Sequence, residues 1–185
     1  MKRFFLTGLF LGIALLSFNS VYAANKSGTL KLQLTIKNIF NLSLDSKSSS
    51  TIDFGLIAPG MGNWGDNPSK EGLGIICQTN SGEDWNMNIQ ATSDFISDDL
   101  ISTMPCSLLQ WMCVYAEVNG SKLDYPFSQF NPISIQDSEI YSSLKSSYSS
   151  KNGSYNFKVK FMFGPVPPKT KPGNYTTNIV FTMTQ

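Results

Sequence analysis

Side chains that could transfer a proton, hold a metal or attack a carbonyl near neutral pH are scarce in this chain. Its 185 residues include no histidine. That removes Ser-His-Asp and Cys-His catalysis and the commonest general base at neutral pH. It also removes histidine-based zinc sites, and three cysteines without CxxC spacing are a poor substitute. Two carboxylate pairs, Glu83-Asp84 and Asp98-Asp99, could in principle serve a glycosidase,. Neighbours on a strand or turn do not face each other, so both pairs read as solvated loops. Gly60, Gly62 and Gly65 spell GxGxxG, but Asp66, Asn67 and Pro68 follow where a phosphate cradle needs a helix start,. The same loop lacks the ordered acidic ladder of a calcium site. The expectation is a non-enzyme with no catalytic residue, no cofactor and no metal.

The remaining reactive groups are structural. Cys77, Cys106 and Cys113 are odd in number, so at least one thiol has no intramolecular partner,. The expected bridge is the local pair Cys106 and Cys113, leaving Cys77 free; a Cys77–Cys113 bridge would instead join two predicted strands. Trp85 and Trp111 sit in apolar strand patterns and read as core, whereas Trp64 lies in a polar loop and is the one surface-binding candidate,. Five Asn-x-Ser/Thr triplets begin at Asn25, Asn41, Asn119, Asn152 and Asn174, and matter only in a glycosylating host,.

The elements that carry these residues are strands. Tyr155, Phe157, Val159, Phe161 and Phe163 occupy every second position, and after a turn-rich stretch so do Tyr175, Thr177, Ile179, Phe181 and Met183. This period marks strands with one buried face. The same pattern predicts strands at Leu30–Ile36, Phe40–Leu44, Thr51–Ala58, Leu73–Thr79, Asp84–Ala91 and Leu109–Val118. The last is apolar on both faces and is the expected central strand. Residues 136–152 are serine-rich and the least strand-like, with room for a short helical piece around Ile140, Tyr141 and Leu144. About eight strands with thirteen Phe and seven Tyr give an all-β chain, a single immunoglobulin-like antiparallel β-sandwich,.

Lys2 and Arg3 precede an apolar run too short for a comfortable span, followed by Val21-Tyr22-Ala23. This reads as a cleaved signal peptide over residues 1–23, with the sandwich over 24–185, exported to periplasm, surface or medium and without a membrane span after cleavage. Net charge is +1 with no basic stripe, so nucleic acid is not an expected partner,.

The stretch from Thr29 to Ala91, with its alternating first strand, then Ile52-Asp53-Phe54-Gly55, Ala58-Pro59-Gly60 and Gly74-Ile75-Ile76-Cys77-Gln78-Thr79, resembles spore-coat-U-like and fimbrial-subunit-like proteins. That resemblance implies an incomplete sandwich completed by a strand from a neighbour. A second resemblance is to WxL-type surface domains. It rests on Trp85-Asn86-Met87 and on Tyr175, Ile179, Phe181 and Met183, with Phe and Met where Trp and Leu are usual. It implies non-covalent attachment to a cell wall. The expected function is a non-enzymatic structural or adhesive subunit of a bacterial surface appendage or coat, with other subunits as partners. The alternative is a monomeric module for wall polymer or glycan. The donor candidate is Ala24–Ile36, which could equally be the domain's own first strand.

Overall fold

A computed structural model describes residues 34, 37–46, 50–64, 72–123, 129–146 and 151–185. The predicted signal peptide and the predicted strand 30–36 therefore lie outside the described residues, apart from Leu34. Lys37–Gln185 forms one compact unit. Its strands are β1 (Phe40–Leu44), β2 (Asn63–Trp64), β3 (Leu73–Thr79), β4 (Asn86–Ala91), β5 (Phe95–Ser97), β6 (Thr103–Met104), β7 (Leu109–Val118), β8 (Ser121–Lys122), β9 (Asn131–Pro132), β10 (Ser138–Ser142), β11 (Gly153–Phe163), β12 (Tyr175–Thr176) and β13 (Ile179–Thr184).

One antiparallel sheet has the order β1-β3-β11-β7-β8, with β2 also on β11 and β9 on β7. A second has the order β10-β4-β13, and a small third sheet, β12-β5-β6, extends it beyond the ends of β4 and β13. In immunoglobulin terms β1, β3, β11 and β7 occupy the A, B, E and D positions, and β4 and β13 those of C and F,. The chain is an all-β, immunoglobulin-like sandwich.

Between the layers the alternating residues of β11 meet an aromatic cluster. Trp85 packs edge-on against Tyr155 with centroids 4.8 Å apart, and Tyr141 lies 5.4 Å from Phe157. All four are buried. Aromatic pairs at such tilts contribute about 0.5–1.5 kcal/mol beyond their burial.

Several expectations change. The central strand is β11, held between β3 and β7, rather than β7. β7 buries one face only, because Val114 is an extra bulged residue between Cys113, opposite Val159, and Tyr115, opposite Lys158. Thr51–Ala58 is not a strand beyond a lone bridge at Asp53. Gly55 stands at φ 66° and donates its N–H to Asp53 Oδ1 at 2.8 Å, so the chain turns instead of extending,. The helical piece expected near Ile140 is strand β10, where a bulge between Glu139 and Tyr141 turns both Ile140 and Tyr141 inward while Leu144 is exposed,. The run Tyr175–Met183 is two strands. It breaks at Thr177 and Asn178, where Thr177 Oγ1 donates to Ser93 O at 2.8 Å and Asn178 O accepts from Thr92 N at 2.9 Å.

Candidate functional site

A strand needs partners on both edges or a device that protects the open one. β13 pairs with β4 on one side, and no described strand takes its other side. Among the described strands β1 pairs only with β3, and it approaches β13 from the opposite layer. Among the described strands, both layers thus end in an edge along the same flank. A complete sandwich of this class has a seventh strand, G, beside F, and no described strand takes that place next to β13,.

The interior is open along this flank. A cavity of about 850 Å³ is lined by Leu44 of β1, Phe54 and Ile57 of the irregular crossing segment, Phe163 of β11, and Ile179 and Phe181 of β13. Its wall is the outer margin of the core. Phe163 is buried against Phe95 and Phe54, with centroids at 5.2 and 5.5 Å, whereas Phe54, Ile57, Ile179 and Phe181 are only half-buried. The alternate residues of β13 point inward but are not fully covered by the described residues. The structure therefore leaves Tyr175, Ile179, Phe181 and Met183 half-buried, while Trp85 and Met87 at the other motif are fully buried.

The two ends of the sandwich differ. At one, Asn80 fixes the chain that leads into β1: its Nδ2 donates to Lys37 O at 2.8 Å and its Oδ1 accepts from Ile39 N at 2.6 Å. Gln185, just past β13, donates from Nε2 to Ser81 Oγ at the same end. Lys37, where the described unit begins, therefore lies at the end where β13 finishes. At the far end stands the β5–β6 hairpin. Its turn is tied by Leu100 N to Ser97 O at 2.8 Å, Ile101 N to Asp99 Oδ1 at 3.0 Å, and Ser97 Oγ to Asp99. The Ser97 hydroxyl and the Ile101 N–H hold the Asp99 carboxyl below its ordinary pKa,. Asp98 N donates to Asn174 O and its carboxylate accepts from Asn174 Nδ2 at 2.6 Å.

The other candidates fall elsewhere. Asp84 accepts from Lys151 Nζ at 3.0 Å and from Ser143 Oγ at 3.3 Å, so it, like Asp98 and Asp99, anchors a turn. Gly60 and Gly62 serve a backbone crossing. Gly60 N donates to Val166 O, and a Cβ on Gly62 would stand 2.6 Å from Phe163 O. Trp64 pairs through its backbone with Met162, and its indole lies outside the described residues. The expected Cys106–Cys113 bridge is not formed: all three cysteines are buried free thiols. Cys106 Sγ reaches Ile133 O, Cys113 Sγ reaches Tyr115 O, and Cys77 Sγ lies 3.5 Å from Met87 Sδ. Burial pushes the Cys77 and Cys113 thiols up to about 12. Cys77 and Cys113 also lie on β3 and β7, with β11 between them. Among the described residues no group of three acidic, cysteine or histidine side chains could hold a metal, and no helix is long and apolar enough to cross a membrane.

Sequence reasoning did not find the groove. In the sequence its walls, Phe54, Ile57 and Phe163, read as ordinary strand residues, and nothing in a period-two pattern says whether a strand has one neighbour or two. The exposed pair Leu100–Ile101 was legible as an apolar dipeptide amid Ser-Asp-Asp and Ser-Thr.

No family model and no curated protein matches the chain. Among solved structures it is similar to a family 123 glycoside hydrolase from Clostridium perfringens, at 16% identity and a TM-score of 0.38, over 79% of this chain and 24% of that one. The match spans about a quarter of the hydrolase chain, and at that level it carries no argument about activity.

Proposed function

We propose that this protein is a non-enzymatic structural subunit of an exported surface assembly, and that its site is a strand-accepting groove. The observation that carries the reading is the unpaired edge of β13 beside the apolar cavity. Such an edge accepts an extended segment through main-chain hydrogen bonds, while pockets take its alternate side chains. Residues 28–36 fit that description: Leu30, Leu32, Leu34 and Ile36 fall on one face, and nine residues extend about 30 Å,. Leu34 is 85% exposed. Burying four such side chains contributes about 1.5–3 kcal/mol each, set against the cost of ordering the segment.

Direction selects the donor. A G strand runs antiparallel to F. A segment joined at Lys37, if laid along its own β13, would run in the direction of β13 itself. Antiparallel pairing therefore requires the segment of another copy. Of the two adjacent carboxylate pairs, Asp84, Asp98 and Asp99 are already engaged in turns. This supports a role in assembly over one in hydrolysis.

The test is native mass by light scattering on the exported chain, with and without residues 28–36. The expected outcome is a ladder of multiples that collapses to a folded monomer on deletion. A clean monomer from the intact chain would overturn the reading.

A further inference from the structure

We infer that Leu100 and Ile101 form a seat between subunits, packing against Ile39 and Phe40 of the next copy of this chain. The inference rests on the strand-accepting reading and adds the contact that fixes how successive subunits stack.

The turn itself calls for an explanation. Leu100 holds φ 60°, a conformation that costs a residue with a branched side chain and that glycine or asparagine adopts more readily,. Its side chain is 79% exposed and that of Ile101 73% exposed. Neither contributes to the core, yet the hydrogen bonds of Ser97, Asp99 and Ser102 hold both rigidly outward. A strained, well-tied turn that presents two aliphatic side chains to water is the form of a contact surface.

The partner follows from the direction of the strands. β5 continues the course of β4 past Ala91, and β12 precedes β13, so the hairpin tip lies beyond the start of β13. A segment 28–36 lying antiparallel along β13 and β12 brings its own residue 36 to that end. The donor's Lys37, Ile39 and Phe40 then arrive beside the acceptor's tip. Ile39 and Phe40 are themselves 47% and 40% exposed, at the opposite end of the sandwich. Each subunit thus carries an apolar pair at either end. The charges match in sign as well: exposed Lys37 flanks one pair, and Asp98 and Asp99 flank the other, with Lys171 near Asp99 offsetting one of these two charges. The two surfaces differ, so the contact is head-to-tail and propagates as an open chain.

The experiment is disulfide trapping in the full exported chain. Ile101→Cys is combined with Ile39→Cys or with Phe40→Cys, and the native thiols stay buried. After mild oxidation, denaturing non-reducing electrophoresis should show a covalent ladder for a double variant, and nothing beyond a dimer for each single variant. A second measurement covers the case of poor sulfur geometry. The double variant Leu100→Ser, Ile101→Ser should raise the rate of subunit dissociation at least tenfold while its urea midpoint is kept or raised. Polymers that form natively but give no ladder, and that dissociate at the unaltered rate when Leu100 and Ile101 are replaced, would overturn the seat and leave strand donation standing. An intact chain that stays monomeric would overturn both.

Discussion

Phe157 and Phe163 lie on the same face of β11 and are both almost fully buried, yet they should respond differently to truncation. Phe157 stands in the closed part of the core, with Tyr141 at 5.4 Å and Tyr155 stacked at 6.3 Å. Phe163 borders the groove of about 850 Å³. Phe→Ala substitutions in cores cost about 3–5 kcal/mol, of which a part scales with the volume of the new cavity at ~24 cal/mol per Å³. Phe157→Ala opens a new enclosed hole and should lie near the upper value, about 5 kcal/mol. Phe163→Ala enlarges a space that already exists, and half-buried Phe54 beside it can move inward. Its cost should lie near the lower value, about 3 kcal/mol. Urea unfolding of the variants lacking residues 28–36 reads the difference. With a slope of about 1–3 kcal/mol per molar, a gap near 2 kcal/mol separates the midpoints by ~0.7–2 M. Equal midpoints, or a lower one for Phe163→Ala, would refute the claim that the groove is preformed. In assembled material the gap should narrow, because a seated strand closes the space over Phe163.

Two further outcomes follow from local geometry. The Cys77 and Cys113 thiols are raised to about 12 by burial and ionise near 9 in the unfolded chain. Stability is fully kept below pH 9 and falls between pH 9 and 12, since only the unfolded state gives up those protons there. The slope is about 1.4 kcal/mol per pH unit for each thiol. Denaturation midpoints across that range should flatten in Cys77→Ala relative to wild type, and an unchanged slope would show that the thiol does not stay protonated in the fold. Gly62→Ala places a methyl 2.6 Å from Phe163 O. Thermal melting should show a loss of about 1–3 kcal/mol, the usual cost of overpacking, and a neutral result would mean that the crossing has slack.

Much of this fold is written locally. Alternation along Tyr155–Phe163, Leu73–Thr79 and Asn86–Ala91 specifies which residues go inside, because each strand must hide one face whatever its neighbours are. The lack of histidine and the engagement of adjacent carboxylates in turns are equally local matters. Bulges are less legible. Val114 shifts the phase of β7 so that Ala116 and Val118 face inward, and Ile140 with Tyr141 defeats alternation in β10. Only pairing with a partner strand reveals that one residue is surplus. The Cys106–Cys113 expectation failed for a related reason. Nearness in sequence says nothing about where a sulfur points, and each Sγ is turned toward a different carbonyl.

The sequence by itself determined that the domain is all-β, which faces are apolar, and that residues 28–36 carry an unusually regular alternation. The tertiary structure alone decided that β11 is central, that β13 has one partner among the described strands, and that the two ends of the sandwich carry different exposed apolar pairs. The physical reason is that a period-two pattern records burial of a face, a property each strand settles for itself. Edge status and the order of strands are set by hydrogen bonds between segments far apart in the chain, and no single strand encodes them.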